Sequence, residues 1–94
     1  MNAQELTLNI AVNLGRIGRW ASEGKMARLN QFLAETEEFV IQLDAAPKTP
    51  RFRKTFDLFR ANFEQLRSAK QIDLVWAESM LTWANILTHR SQLA

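Results

Sequence analysis

Apolar residues recur along this chain at helical spacing. Phe52, Phe56, Phe59, Phe63 and Leu66 follow one another at intervals of 4, 3, 4 and 3, which holds them on one face of an α-helix. Met26, Leu29, Phe32, Leu33, Thr36, Phe39, Val40 and Leu43 obey the same rule and predict a helix over residues 25–44. Leu6, Ile10, Leu14, Ile17 and Trp20 form an earlier stripe, with Leu8 and Val12 beside it. Ile72, Val75, Trp76, Ser79, Met80, Trp83, Ile86 and Leu87 form the last one. Strand signals are weak by comparison.

The stripes also show where the chain must break. Pro47 and Pro50 make the segment 44–50 a loop. Thr49 is placed to cap the helix that follows, with Pro50 at its first position, where a missing N–H costs nothing. The first stripe is rotated about 120° from the second, so one straight helix cannot turn both to one core. The phase changes across Ser22-Glu23-Gly24-Lys25, and Gly24 can end a helix in a left-handed conformation. Gly15 and Gly18 each weaken the first helix by about 1 kcal/mol relative to alanine, a cost that close helix–helix contact would explain. The last stripe is displaced by about 140° from the phenylalanines. Ser68-Ala69-Lys70-Gln71 has the form of a capping box and predicts a restart near Ser68. No Gly or Pro enforces that break, so one helix over 50–90 is the rival. The expected fold is an all-α, antiparallel bundle of four helices in a single domain, residues 1–94.

Composition narrows the chemistry. With 47% hydrophobic residues and only three Gly and two Pro among 94, the chain is neither disordered nor collagen-like. It has no cysteine, which removes disulfides, zinc–thiolate sites and cysteine nucleophiles. Its apolar runs are too short to span a bilayer. The opening Met1-Asn2-Ala3-Gln4-Glu5-Leu6 lacks a basic signal-peptide region, and the expectation is a cytoplasmic protein without membrane contact.

A net charge of +2 conceals an uneven distribution. From Leu29 to Pro47 the only charges are Glu35, Glu37, Glu38 and Asp44. From Lys48 to Lys70, seven basic residues face only Asp57 and Glu64. Lys48, Arg51, Arg53 and Lys54 are therefore candidate anion-binding residues, for phosphate or nucleic acid. Against this, Phe52 and Phe56 belong to the core stripe and are not free to stack on bases. Arg53, Asp57, Arg60, Glu64 and Arg67 also alternate in sign at helical spacing, as an intrahelical salt-bridge ladder does. A solvated, self-compensating face outweighs the nucleic-acid reading, which stays as the alternative. A second basic group surrounds Gly15-Arg16-Ile17-Gly18-Arg19, but a phosphate loop needs a preceding strand and none is predicted.

The catalytic inventory is thin. His89 is the sole imidazole, and no sequence signature pairs it with a nucleophile. Glu35-Thr36-Glu37-Glu38 offers one acidic pair, yet no second pair follows to complete a metal site. No cofactor, metal or catalytic residue is expected, and the chain reads as a non-enzyme.

Helix four carries the sharpest functional hint. Between Gln71 and Thr88 the only charges are Asp73 and Glu78. Leu74, Ala77, Leu81 and Ala84 cover the side opposite Trp76, so a stripe that meets one bundle leaves a second apolar strip behind. A second copy of the chain is the simplest cover, since two-fold homodimers are the commonest oligomers. The expected interface is Leu74, Leu81 and Ala77, joined by Leu8 and Val12 of the first helix. The leading expectation is a small helical protein that acts through protein–protein interaction, as a homodimer or with another protein.

Overall fold

Each helix begins and ends where local chemistry lets it. In the computed structural model, which describes residues 1–94, α1 spans Ala3–Glu23, α2 Met26–Ala45, α3 Pro50–Arg67 and α4 Leu74–Arg90. A 3-10 turn, Ser91–Leu93, follows. Asn2 and Glu5 form a reciprocal capping box on α1, with Glu5 N–H donating to Asn2 Oδ1 at 2.8 Å. Gly24, at φ +74°, ends α1 in the left-handed region. Thr49 accepts from Phe52 N–H at 3.2 Å and opens α3 with Pro50 behind it.

The break between α3 and α4 is real, but its cap differs from the one expected. Ser68 does not start α4; it lies in the right-handed region as the C-cap of α3. Asp73 caps α4 instead, accepting from Trp76 N–H at 3.0 Å. A restart at Ser68 would leave no chain with which to turn back. Residues 68–73 make that turn, and Trp76 Nε1 pins it by donating to Leu66 O at 2.8 Å. Val75, expected on the core stripe, is thereby rotated outward and is exposed.

Contacts across the bundle run in opposite directions for every neighbouring pair, so the topology is up–down–up–down. Glu37 meets Arg67 while Asp44 meets Arg60, which sets α3 antiparallel to α2. Phe59 meets Trp83 and Thr55 meets Arg90, which does the same for α3 and α4. Gly15 faces Ala84 and Gly18 faces Leu81 and Ala77, which closes the bundle between α1 and α4.

Two kinds of packing hold these helices. The closest backbone approaches are those of α1 with α4 and with α2. Toward α4 they are made possible by small residues, Gly15 and Gly18 against Ala77 and Ala84. α3 is spaced by bulk instead: Phe52, Phe56, Phe59 and Phe63 are all fully enclosed. Each such ring contributes roughly 1.5–3 kcal/mol by burial. Phe59 stacks on Phe63 and meets the edge of Trp83, both at 5.4 Å between ring centres. Polar groups inside are satisfied: Thr7 and Thr36 donate back to Ala3 O and Phe32 O, each at 2.7 Å. Asn13 donates to Glu35 at 2.9 Å across α1 and α2.

The two glycines of α1 differ in what a side chain would meet. A Cβ on Gly18 would stand 2.9 Å from Leu81 Cγ and 3.0 Å from the Ala77 carbonyl, whereas one on Gly15 would sit 3.9 Å from Ala84 Cβ. Urea denaturation should show Gly15→Ala stabilising the protein by about 0.5–1 kcal/mol through helix propensity. Gly18→Val should destabilise it by roughly 1–3 kcal/mol through overpacking. Equal effects at the two sites would contradict the close α1–α4 contact.

Candidate interaction surfaces

The basic segment does not assemble as one anion site. Lys48 follows the end of α2, where the last carbonyls have no helical N–H to accept from. Its ammonium donates to Leu43 O at 2.6 Å, Asp44 O at 2.9 Å and Ala46 O at 2.8 Å. It also lies 4.9 Å from the centre of the Phe56 ring. Burial first, and then the charge of Arg53, pull its pKa below the ordinary lysine value. Lys48 is a cap and not a free cation. Arg53 shares the helical phase of Arg60 and Arg67, on the flank toward α2. Arg51 and Lys54 are exposed, and Lys54 points away from that flank, toward α4.

The expected ladder within α3 is mostly a bridge between helices. Arg67 pairs with Glu64 on its own helix at 2.9 Å, and with Glu37 of α2 at 3.2 Å. Glu64, and Glu37 beyond it, hold its pKa above the usual arginine value. Arg60 reaches Asp44 of α2 at 3.4 Å. These pairs are exposed and add little stability, but they match the acidic helix to the basic one.

The apolar strip expected on α4 is divided. Ala77 is only 1% exposed, enclosed against α1, and is not available to a second molecule. Leu81 has a neighbour after all, because it covers Gly18. It remains 39% exposed, and Leu74, one heptad earlier, 66%. Face arithmetic gave helix four one partner, whereas the bundle gives it two, α3 through the tryptophans and α1 through the alanines. On α1, Leu8 and Val12 stand in solvent at 38% and 52% exposure. They line a groove against α2 with Arg16, Phe32 and Phe39. Arg16 lies over the Phe32 ring at 5.9 Å, and Trp20 meets the same ring edge-on at 4.9 Å.

A surface that the sequence reading missed lies between α3 and α4. Lys54 and Leu58 of α3 face Trp83, Ile86, His89 and Arg90 of α4 across a groove of about 540 Å³. Arg90 donates to Thr55 Oγ1 at 3.3 Å. The signal available was the basic pair His89-Arg90 one antiparallel crossing away from Lys54. The acidic run of α2 is dispersed: Glu35 accepts from Asn13, Glu37 from Arg67, and no three metal-capable side chains come together. No helix is long and apolar enough to cross a membrane. No known protein family, curated protein or solved structure matches this chain.

The role of Lys48 is open to a direct check. Lys48→Met keeps an apolar stem near Phe56 but removes three bonds to carbonyls. It should lower the unfolding free energy by about 1–3 kcal/mol, the scale of hydrogen bonds to a charged group. Arg53→Met should change it by less than about 0.5 kcal/mol, as surface substitutions usually do. Equal effects in denaturant titrations would show that Lys48 is not a cap.

Proposed function

We propose that this protein is a non-enzymatic interaction module of the cytoplasm that works as a homodimer, with the outward face of α1 at the centre of the contact. The observation that carries this reading is the pattern of that face. Glu5, Val12 and Arg19 are spaced by heptads, with Leu8 between them, and all four are exposed. Heptad spacing keeps them in one strip along the helix.

The strip complements itself. If two copies of α1 cross antiparallel about an axis at Val12, the two Val12 side chains meet. Seven residues to either side, Glu5 of one copy then opposes Arg19 of the other, twice. Such a contact is isologous and closes at two chains. Leu81, level with Gly18 on the neighbouring helix, faces the early turns of the second α1, where Leu8 stands. Leu74 lies at the rim. Leu8, Val12 and Leu81 would then be covered, each contributing up to roughly 1.5–3 kcal/mol when fully enclosed.

The alternative, a nucleic-acid module built on Lys48, Arg51, Arg53 and Lys54, has less behind it. Lys48 is engaged by carbonyls, and Arg53 and Lys54 lie on different flanks of α3.

Sedimentation equilibrium should give twice the chain mass of 10.8 kDa. Leu8→Glu with Val12→Glu should give a folded monomer by circular dichroism. Arg19→Glu should weaken the dimer and Glu5→Arg in the same chain should restore it, because charges that oppose across a two-fold axis can be exchanged. A wild-type chain that stays monomeric at millimolar concentration would defeat the reading.

A further inference from the structure

We infer that the groove between α3 and α4 binds a small amphiphile with one anionic head, a carboxylate on an apolar chain. This site is on a different side of the bundle from the α1 face and does not depend on dimerisation.

The walls of the groove divide by chemistry. Trp83 is buried beneath it, its ring held edge-on against Phe59 at 5.4 Å. Leu58, 60% exposed, and Ile86, half-buried, flank that floor from the two helices. Three aromatic or aliphatic side chains thus meet in a concavity of about 540 Å³, within the roughly 300–1,000 Å³ of small-molecule sites. At one end stand Lys54, His89 and Arg90.

These basic groups are uncommitted. None of the four ion pairs in the chain involves them. No carboxylate lines the groove, and Asp57, a turn beyond Lys54, lines another one with Arg60 and Glu64. Further along α3 two basic residues do find acids, Arg60 with Asp44 and Arg67 with Glu37. Arg90 is steadied by Thr55, so its guanidinium is oriented before any ligand arrives. An apolar floor that ends in two cations outside any ion pair, Lys54 and Arg90, suits a ligand divided in the same way. A bare phosphate would leave Leu58 and Ile86 wet, and a neutral hydrocarbon would leave the cations unused.

Dodecanoate below its micellar concentration is the probe, with dodecanol and dodecyltrimethylammonium as controls. Calorimetry should show saturable binding of one dodecanoate per chain, roughly tenfold or more tighter than dodecanol, the factor expected from charge-assisted hydrogen bonds. Dodecyltrimethylammonium should not bind. Lys54→Gln with Arg90→Gln should bring dodecanoate to the level of dodecanol, while Arg53→Gln, on the other flank of α3, leaves it unchanged. The side-chain resonances of Asn85 and the ring resonances of His89 should shift on binding, and they remain readable if the double variant fails to fold. Equal affinity for acid and alcohol would overturn the inference, as would shifts confined to α1 and α2, or displacement of dodecanoate by a short oligonucleotide. A monomeric wild-type protein that still binds dodecanoate would refute the dimer and leave this site standing.

Discussion

Everything in this bundle is arranged around the place where α1 and α4 touch. A Cβ on Gly18 would stand 3.0 Å from the Ala77 carbonyl oxygen, so a side chain there would press the two backbones apart and glycine lets them lie this close. Once α4 is seated there, its orientation is determined. Ala77 and Ala84 face α1, which leaves Trp76, Met80 and Trp83 turned to the interior and to α3. Bulk is then needed on the far side, and the four phenylalanines of α3 supply it. A bundle with glycine on one seam and phenylalanine on the opposite helix is asymmetric by construction. That asymmetry discourages alternative helix orders, because no other pairing fills the same volumes.

The same asymmetry explains which parts of the structure could be read from the chain. The four stripes, the Thr49–Pro50 start and the Gly24 stop depend on local geometry, and local geometry is written in spacing. The start of α4 depends on a choice between Ser68 and Asp73, both competent caps. That choice is settled by the need to reverse direction and by the Trp76 indole reaching Leu66 O, which is a tertiary contact. Lys48 was legible only as a charge. Its use follows from three carbonyls within reach at the end of α2, and nothing in residues 48–54 alone shows where they are. Ala77 looks like exposed filler in the sequence until Gly18, the residue that receives it, is known.

Charge follows packing here. α2 and α3 are antiparallel neighbours, one acidic and one basic, and Asp44–Arg60 and Glu37–Arg67 join them at two levels. Pairing along that seam engages Glu37, Asp44 and Glu64 and leaves Arg51 and Lys54 of α3 outside every ion pair. α4 has almost no acid to offer them, since its only carboxylate is Glu78, near the opposite end from Lys54. The basic end of the α3–α4 groove is therefore a consequence of how charge was divided between α2 and α4, and requires no dedicated motif.

The two proposed surfaces are compatible because the helices that carry them do not compete. α1 presents its glycine face to α4 and its Leu6–Ile17 stripe to the core, so Glu5, Leu8, Val12 and Arg19 lie on its outer face. α3 lies diagonally across the bundle from α1, and the groove it shares with α4 opens away from the α1 strip. An isologous contact through α1 would leave that groove open in both copies, related by the same two-fold axis. Occupancy of one surface then has no steric reason to exclude the other. Any coupling between them would have to pass through α4, which touches the groove with Trp83 and Ile86 and reaches α1 with Leu81 and Ala84.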